Sequence, residues 1–477
     1  MRGMRLGAAT AAGRGPVATM KSRMHLAAAC AGAFLSTAAV AAPLTPAQTA
    51  AIDAAATKSL KESGVPAASI AVVQDGKIVY ARAYGMQRDG VPAKAEARYK
   101  IASISKQFTA AALLLLAEDG KISLDDPVAK YLPDLTRARD VTVRQLLSHT
   151  SGYRDYWPQD FAFVDMETPT TPEHILDKWA KAPLDFEPGS SWQYSNTGYV
   201  AAGLIVERVS GMKLLDFLNA RIFNPLGMHP VNGDTGLTDA DPLGYRRYGA
   251  GPVRVEPQPG AGWLFAAGEL AMSADDLARW DISVIDQSVM KPASYRAQQT
   301  EVLLTNGAPT GYGLGVSVDV SKNHRRIKHG GEAVGYLSEN RIYPDDRAAI
   351  VVLDNADFGD AQTSIADAIE KILFNDAGDV SRARTVFDGL RGGRIDRTQF
   401  TAAGNHYFTP QALADYQSSL AALGEPKSFV RTSAALRGGF TAERYTADYG
   451  AKKLTIVLRA EPGPNGRIEQ FTVYPAD

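Results

Sequence analysis

Apolar positions along the chain follow two periods, and the switches between them mark its parts. Residues 45–63 are Ala-rich with helical spacing and stop before Gly64. Residues 69–74 and 77–83 are apolar-rich runs joined by Asp75-Gly76, a β-hairpin signature. From Ser103 onward, Ile104, Phe108, Ala111, Ala112 and Leu115 trace the i, i+4, i+7, i+8, i+11 stripe of a helix. Over 110–117 that helix is apolar almost all round, which predicts burial on every side. Asp119-Gly120 supplies its stop. Residues 125–300 read as helix and loop without clear strand pairs. A β pattern returns over 311–320 and 324–328. It returns again over 335–343 and 348–354, which flank a Pro344-Asp345-Asp346-Arg347 turn, and a helical run over 360–374 follows.

Strands at both ends with helices between them predict an α/β sandwich of the α+β class. One antiparallel sheet is completed by distant segments, flanked by helices and carrying an all-helical subdomain. The pattern changes near Gly378. Thr409 and Pro410 open a helix over 410–423 that ends at Gly424, and 444–449, 454–459 and 468–474 alternate like half-buried strands. The expected organisation is a leader over 1–41, a main domain over 42–378 and a small α+β accessory domain over 379–477.

Composition changes this picture in two places. Lys plus Arg (51) balances Asp plus Glu (52), so no basic field points to nucleic acid. At the N-terminus, Lys21 and Arg23 precede a short apolar run over 26–35, and Ala39-Val40-Ala41 offers small residues for cleavage. That order predicts a signal peptide cut after Ala41, with the first nineteen residues an upstream extension and Met20 the start. The run is too short to span a membrane. The protein is expected to be exported, periplasmic or secreted. Its single cysteine, Cys30, leaves with the signal, so no disulfide or thiolate metal site is expected.

Three short motifs carry candidate chemistry. Ser103-Ile104-Ser105-Lys106 puts a hydroxyl and an amine on one helix face, where a desolvated lysine can take the serine proton. Ser288-Val289-Met290-Lys291 repeats the spacing, but Pro292 follows it and no apolar helix does. In Tyr194-Ser195-Asn196, a phenol beside a lysine is expected to have a lowered pKa and to shuttle a proton, and Asn196 can bond both the lysine and a substrate carbonyl. In His329-Gly330-Gly331, at the end of a strand, glycines let the backbone approach a ligand, and the N–H groups of Ser103 and Glu332 can form an oxyanion hole. Read singly, the second motif is also a core tyrosine with a turn asparagine, and the third a glycine turn between strands. Their order along the chain selects the catalytic reading.

That order resembles the S-x-x-K, S-D-N and K-T-G trio of β-lactamases and penicillin-binding proteins. With Y-S-N and H-G-G it is similar to the class C β-lactamases and their relatives, the penicillin-binding-protein-like esterases, D-aminopeptidases and D,D-carboxypeptidases. Leu146-Leu147-Ser148-His149-Thr150-Ser151-Gly152, Asn224-Pro225-Leu226-Gly227-Met228 and the stretches 194–211 and 266–280 extend the resemblance over roughly residues 45 to 375. It implies a β-lactamase/transpeptidase-like fold with the site between sheet and helical subdomain. It also implies Ser103 as the acylated nucleophile, Lys106 and Tyr194 as sharing the general base and acid roles, Asn196, His329, Gly330 and Gly331 as substrate-binding, and His149 as structural. Lysine is usual where His329 stands. A mostly neutral histidine weakens recognition of a β-lactam or peptide carboxylate and fits the esterase and aminopeptidase branches.

The expected function is a serine hydrolase of small esters, amides or D-peptides acting through an acyl-enzyme. The rivals are a β-lactamase or D,D-carboxypeptidase, and a non-catalytic cell-wall peptide binder. Tyr153, Tyr156, Trp157, Phe161 and Phe163, with Trp263 and Phe265, either line an acyl pocket or pack a core. Without H-E-x-x-H, and with seven scattered histidines, no metal is expected, and no cofactor. The sequence gives no signal for an oligomeric state.

Overall fold

The computed structural model describes residues 44–158, 163–322, 324–374, 377–437, 439–461 and 466–476. The expected signal peptide with Cys30, and Phe161, lie outside them.

Helix α1 (Pro46–Ser63) begins in a capping box between Thr45 and Gln48 and ends at Gly64 with φ 77°. Strands β1 (Ala67–Gln74) and β2 (Lys77–Arg88) form the expected hairpin. Residues 102–104 make one 3₁₀ turn, which runs into α2 (Ser105–Glu118). The middle of the chain supplies α3 (Asn196–Ser210) and α4 (Ala274–Asp286). Strands β3 (Ser317–Ser321), β4 (His324–Ala333), β5 (Tyr336–Tyr343) and β6 (Ala348–Asp354) then complete the sheet, and α5 (Ala361–Leu373) covers it.

The main sheet is antiparallel throughout, in the order Val91–Pro92, β2, β1, β6, β5, β4, β3. The first and last thirds of the chain therefore meet at the β1–β6 pair, where Ile70 faces Val352. Both strands are buried along nearly their whole length, because helices cover both faces. Ile70, Val72, Ile350 and Val352 point to α1 and α5, whereas Ala71, Val73, Val351 and Leu353 point to the core around α2 and α4. Every residue of α2 from Ser105 to Leu116 is buried, as its all-round apolar composition predicts.

Some elements differ from the sequence expectation. Residues 125–300 do contain strands: Leu270–Met272 pairs with Val231–Asn232 and, on its other side, with Tyr99–Lys100 from earlier in the chain, and Tyr245–Arg246 pairs with Arg254–Val255. Two or three residues are too few to show a period. Over 311–316 the chain turns rather than extends, with Gly311 and Gly315 at φ 67° and 77°. The C-terminal part holds α6 (Ala377–Arg391), α7 (Pro410–Ala421) and the sheet β7 (Ser428–Arg437), β8 (Phe440–Asp448), β9 (Lys453–Ala460), β10 (Ile468–Pro475). Strand β7 was not foreseen, because a register shift between Arg431 and Ser433 breaks its alternation. A core of its own, with Phe387, Leu420, Tyr445, Ile456 and Phe471, lies between this sheet and its helices.

Phe108 is fully buried on α2, with ring centroids 5.2 Å from Phe223 and 4.8 Å from Trp280. Phe108→Ala is expected to lower unfolding free energy by about 3–5 kcal/mol. Urea unfolding checks this, and a loss below about 1 kcal/mol would mean that α2 is not the packing centre described.

Candidate active site

Ser103 sits in the 3₁₀ turn that feeds α2, and the residue before it is strained. Ala102 has φ 48°, a left-handed conformation that non-glycine residues rarely adopt. Neighbours over-determine this turn. Ile101 donates its N–H to the Leu270 carbonyl (3.0 Å), and the Ser338 hydroxyl donates to the Ile101 carbonyl (3.0 Å). Strand β4 presses on the same carbonyl, since a Cβ on Gly331 would lie 2.2 Å from it. Gly331 is thus required by close approach. Gly330, by contrast, is exposed and open-sided.

Lys106 lies one turn on, completely buried beneath Ser103. Its Nζ donates to Ser103 Oγ (2.9 Å), Asn196 Oδ1 (2.8 Å) and the Ala267 carbonyl (2.7 Å). The last contact is set by α2 itself, because the Thr109 hydroxyl donates to Ala266 O (2.8 Å) and Ser105 Oγ accepts from Leu270 N–H (3.2 Å). Burial lowers the lysine pKa to about 7, and the nearby Asp155 carboxylate opposes the shift. Asn196 Oδ1 and Ala267 O can only accept. In the neutral amine they hold both N–H bonds and leave the lone pair directed at the Ser103 hydroxyl.

Asp155 fixes that arrangement. Its Oδ1 accepts from the Asn196 N–H (2.9 Å) and its Oδ2 from Asn196 Nδ2 (3.3 Å), so the amide oxygen of Asn196 must face Lys106. Sequence reading missed Asp155, which stands among the aromatic residues of one loop with no motif of its own. Those aromatics divide. Tyr153, Tyr156, Trp263 and Phe265 are buried core, whereas Trp157 lines the cleft.

Tyr194 pairs its hydroxyl with the Ser103 side chain, and the Lys106 ammonium lies over its ring, 4.9 Å from the centroid. The expected lowering of this phenol is not found. Burial pushes it up, and the ammonium faces the ring rather than the oxygen. His149 accepts the Ser195 N–H on Nδ1 (3.1 Å), and its ring lies tilted against that of Tyr194 with centroids 4.2 Å apart, so it shapes the Tyr194-Ser195-Asn196 turn.

His329 does not end its strand. β4 continues through Gly330, Gly331 and Glu332 to Ala333, so these glycines are strand residues rather than a turn. Burial lowers the His329 pKa to about 4, with a further lowering from Lys106. Its Nδ1 donates to Gly330 O (2.6 Å), and its Nε2 accepts from the buried Tyr312 hydroxyl (2.8 Å), a second partner that sequence reading missed. Ser103, Tyr194, Asn196, His329, Gly330, Gly331 and Glu332 line one cleft of about 1020 Å³, with Lys106 in its floor. Among the described residues, no group of His, Cys, Asp or Glu could hold a metal. No helix there is long and apolar enough to cross a membrane.

Comparison with known proteins fits this geometry. A family model described as Beta-lactamase matches residues 52–373. Penicillin-binding protein 4* of Bacillus subtilis is 30% identical over 331 residues, 65% of this chain and 73% of that protein. The D-aminopeptidase of Brucella anthropi is 30% identical over 306 residues, 62% of this chain, and the match spans 57% of that protein's length. Among solved structures, a D-stereospecific amidohydrolase from Streptomyces sp. aligns with a TM-score of 0.58 at 30% identity, covering 67% of this chain and 97% of that one.

The pKa of Lys106 and the position of Asp155 yield a pH prediction. If Lys106 accepts the serine proton, kcat/KM rises with pH through about 7 as the amine becomes neutral. Asp155→Asn removes the charge that holds this pKa up, so the acid limb moves to lower pH while kcat falls about tenfold or more. A pH–rate profile checks both, and an unmoved limb would remove Asp155 from the role described.

Proposed function

The chain belongs to the Beta-lactamase family, whose members are serine hydrolases, and from that premise we propose that it is an exported hydrolase of D-amino acid amides and short D-peptides acting through an acyl-enzyme on Ser103. The observation that carries the choice of substrate is the state of His329. It is neutral, and both of its ring nitrogens are engaged inside the protein. A β-lactam, or a peptide cut at its C-terminal residue, brings a carboxylate next to the scissile bond, and this position offers it no cation. The names of two relatives, a D-aminopeptidase and a D-stereospecific amidohydrolase, support the amide reading.

The chemistry follows from the contacts. Neutral Lys106 takes the Ser103 proton as Oγ bonds to the substrate carbonyl carbon. The carbonyl oxygen becomes an anion held by the main-chain N–H groups of Ser103 and Glu332. Tyr194, kept protonated by its surroundings, gives its proton to the leaving nitrogen as the C–N bond breaks. Its phenolate regains a proton from the Lys106 ammonium through the water that enters as the amine departs, because the esterified Oγ carries none to pass on. Water then adds to the ester carbon, giving a proton to Lys106, and Oγ leaves with that proton as the acid is released. Esters use the same steps with a leaving group that needs less help, so a short-chain ester is a convenient reporter.

The protein incubated with D-alanine p-nitroanilide, p-nitrophenyl acetate and a penicillin in turn, with intact mass followed, tests this reading. Turnover of the first two is expected, without a lasting penicillin adduct, and Ser103→Ala should lose turnover by at least about 10³-fold. Rapid penicillin hydrolysis or a stable adduct would overturn the substrate assignment, and turnover retained by Ser103→Ala would overturn the nucleophile.

A further inference from the structure

The catalytic residues occupy only part of their cleft. The same cavity is also walled by Arg246, Tyr248 and Glu256 of the small hairpin, and by Asp357 and Gln362 beyond β6. Its volume of about 1020 Å³ lies at the top of the roughly 300–1,000 Å³ range of sites that enclose drug-sized ligands. One amino-acid amide would leave most of it empty.

This second part of the cleft is built rather than incidental. The hairpin is tied to the sheet. Tyr245 donates its N–H to Asn355 O (3.0 Å), Asp357 donates to Tyr245 O (3.0 Å), and Glu256 donates to Gly244 O (2.9 Å). Its charges are matched internally, with Arg246 Nε 3.1 Å from Glu256 Oε2 and the guanidinium 4.7 Å from the Tyr248 ring. Glu339 on the cleft wall is likewise held by Arg341 at 2.7 Å. Arg247 and Asp357 also line the cleft and are held by the protein, with Arg247 Nη1 donating to Ser63 O (3.4 Å) and Asp357 Oδ2 accepting from the Gly335 N–H (3.2 Å); beside these charges the wall offers a ligand two neutral groups. Tyr248 presents a ring that is 65% exposed. The Gln362 side-chain oxygen is enclosed without a hydrogen-bond partner, although nearly all such acceptors in folded proteins find one. A turn of that amide offers either its oxygen or its nitrogen to a peptide bond.

We propose that this region is a subsite for the peptide on the leaving side of the scissile bond, with Tyr248 stacked over it and the Gln362 amide bonded to its backbone. The inference rests on the D-amide reading above. There the acyl side is a single amino acid, so any further length of substrate lies beyond the bond that breaks. The preferred substrates are then oligopeptides with an N-terminal D-residue rather than simple amides.

The test is a series of D-alanyl substrates whose leaving groups are ammonia, glycine amide and triglycine amide. In the native enzyme kcat/KM is expected to rise by about tenfold or more along the series, the worth of roughly one added hydrogen bond with stacking. The long-to-short ratio should fall towards one in Gln362→Ala and Tyr248→Ala, and Tyr248→Phe should restore it. Because the readout is a ratio within each variant, partial loss of folded protein cancels. A flat series in an enzyme that does hydrolyse D-alanine amide overturns the subsite alone, as does a rise that both alanine variants keep. Hydrolysis of p-nitrophenyl acetate without turnover of any D-alanyl amide defeats the D-amide reading, and this inference with it.

Discussion

The organisation of the site depends on an amine with no access to water. Lys106 is fully enclosed, and the fall of its pKa from 10.5 to about 7 corresponds to about 5 kcal/mol against the charged form. That penalty weighs on the fold in full below pH 7 and fades as the pH approaches 10.5. It is tolerable only because three acceptors meet the ammonium at once, each fixed by a different segment: the turn at Ser103, the start of α3 and the helical turn Phe265–Gly268, which holds Ala267. Remove the burial and the lysine stays charged, useless as a base. Remove the acceptors and an uncompensated charge sits in the core.

The same arrangement divides labour between two groups that sequence reading had treated alike. A lysine and a tyrosine beside one serine both look like bases if each is thought to lower the other's pKa. The structure separates them. Burial acts on both, but it disfavours the charged form, which is the cation of lysine and the anion of tyrosine. One is left with a ready lone pair and the other with a firmly held proton. Expulsion of an amine needs both, whereas expulsion of a good alkoxide or phenoxide needs chiefly the first.

How much of this could be read from the chain depends on how far apart the partners lie. Ser103 and Lys106 are one helical turn apart, so their meeting follows from local geometry, and the apolar run after them announced the buried helix. The hairpin at Asp75-Gly76 and the paired runs around residue 344 were legible for the same reason. Asp155 and Tyr312 were not. Each acts on a residue brought to it by the sheet or by α3, and neither carries a spacing that distinguishes it from any loop acid or buried phenol. Taken singly, the glycines after His329 left two readings open, a ligand's approach and a turn, because glycine reports only that no side chain fits. Which backbone comes close, here the Ile101 carbonyl, is a tertiary fact.

His329 illustrates how specificity follows from what a site withholds. A histidine in this place could in principle carry charge, but its ring is enclosed, lies near the Lys106 charge and is held between Tyr312 and Gly330. Protonating it would place a second cation beside the lysine and force the Tyr312 hydroxyl to turn from donor to acceptor. The strand is thereby locked in position with no net charge offered to the substrate. Any anion entering the cleft would lose its hydration without gaining a cation at this position, while a neutral amide loses little. On the proposed reading, discrimination against a carboxylate at this position rests on desolvation left unanswered and needs no repulsive residue there.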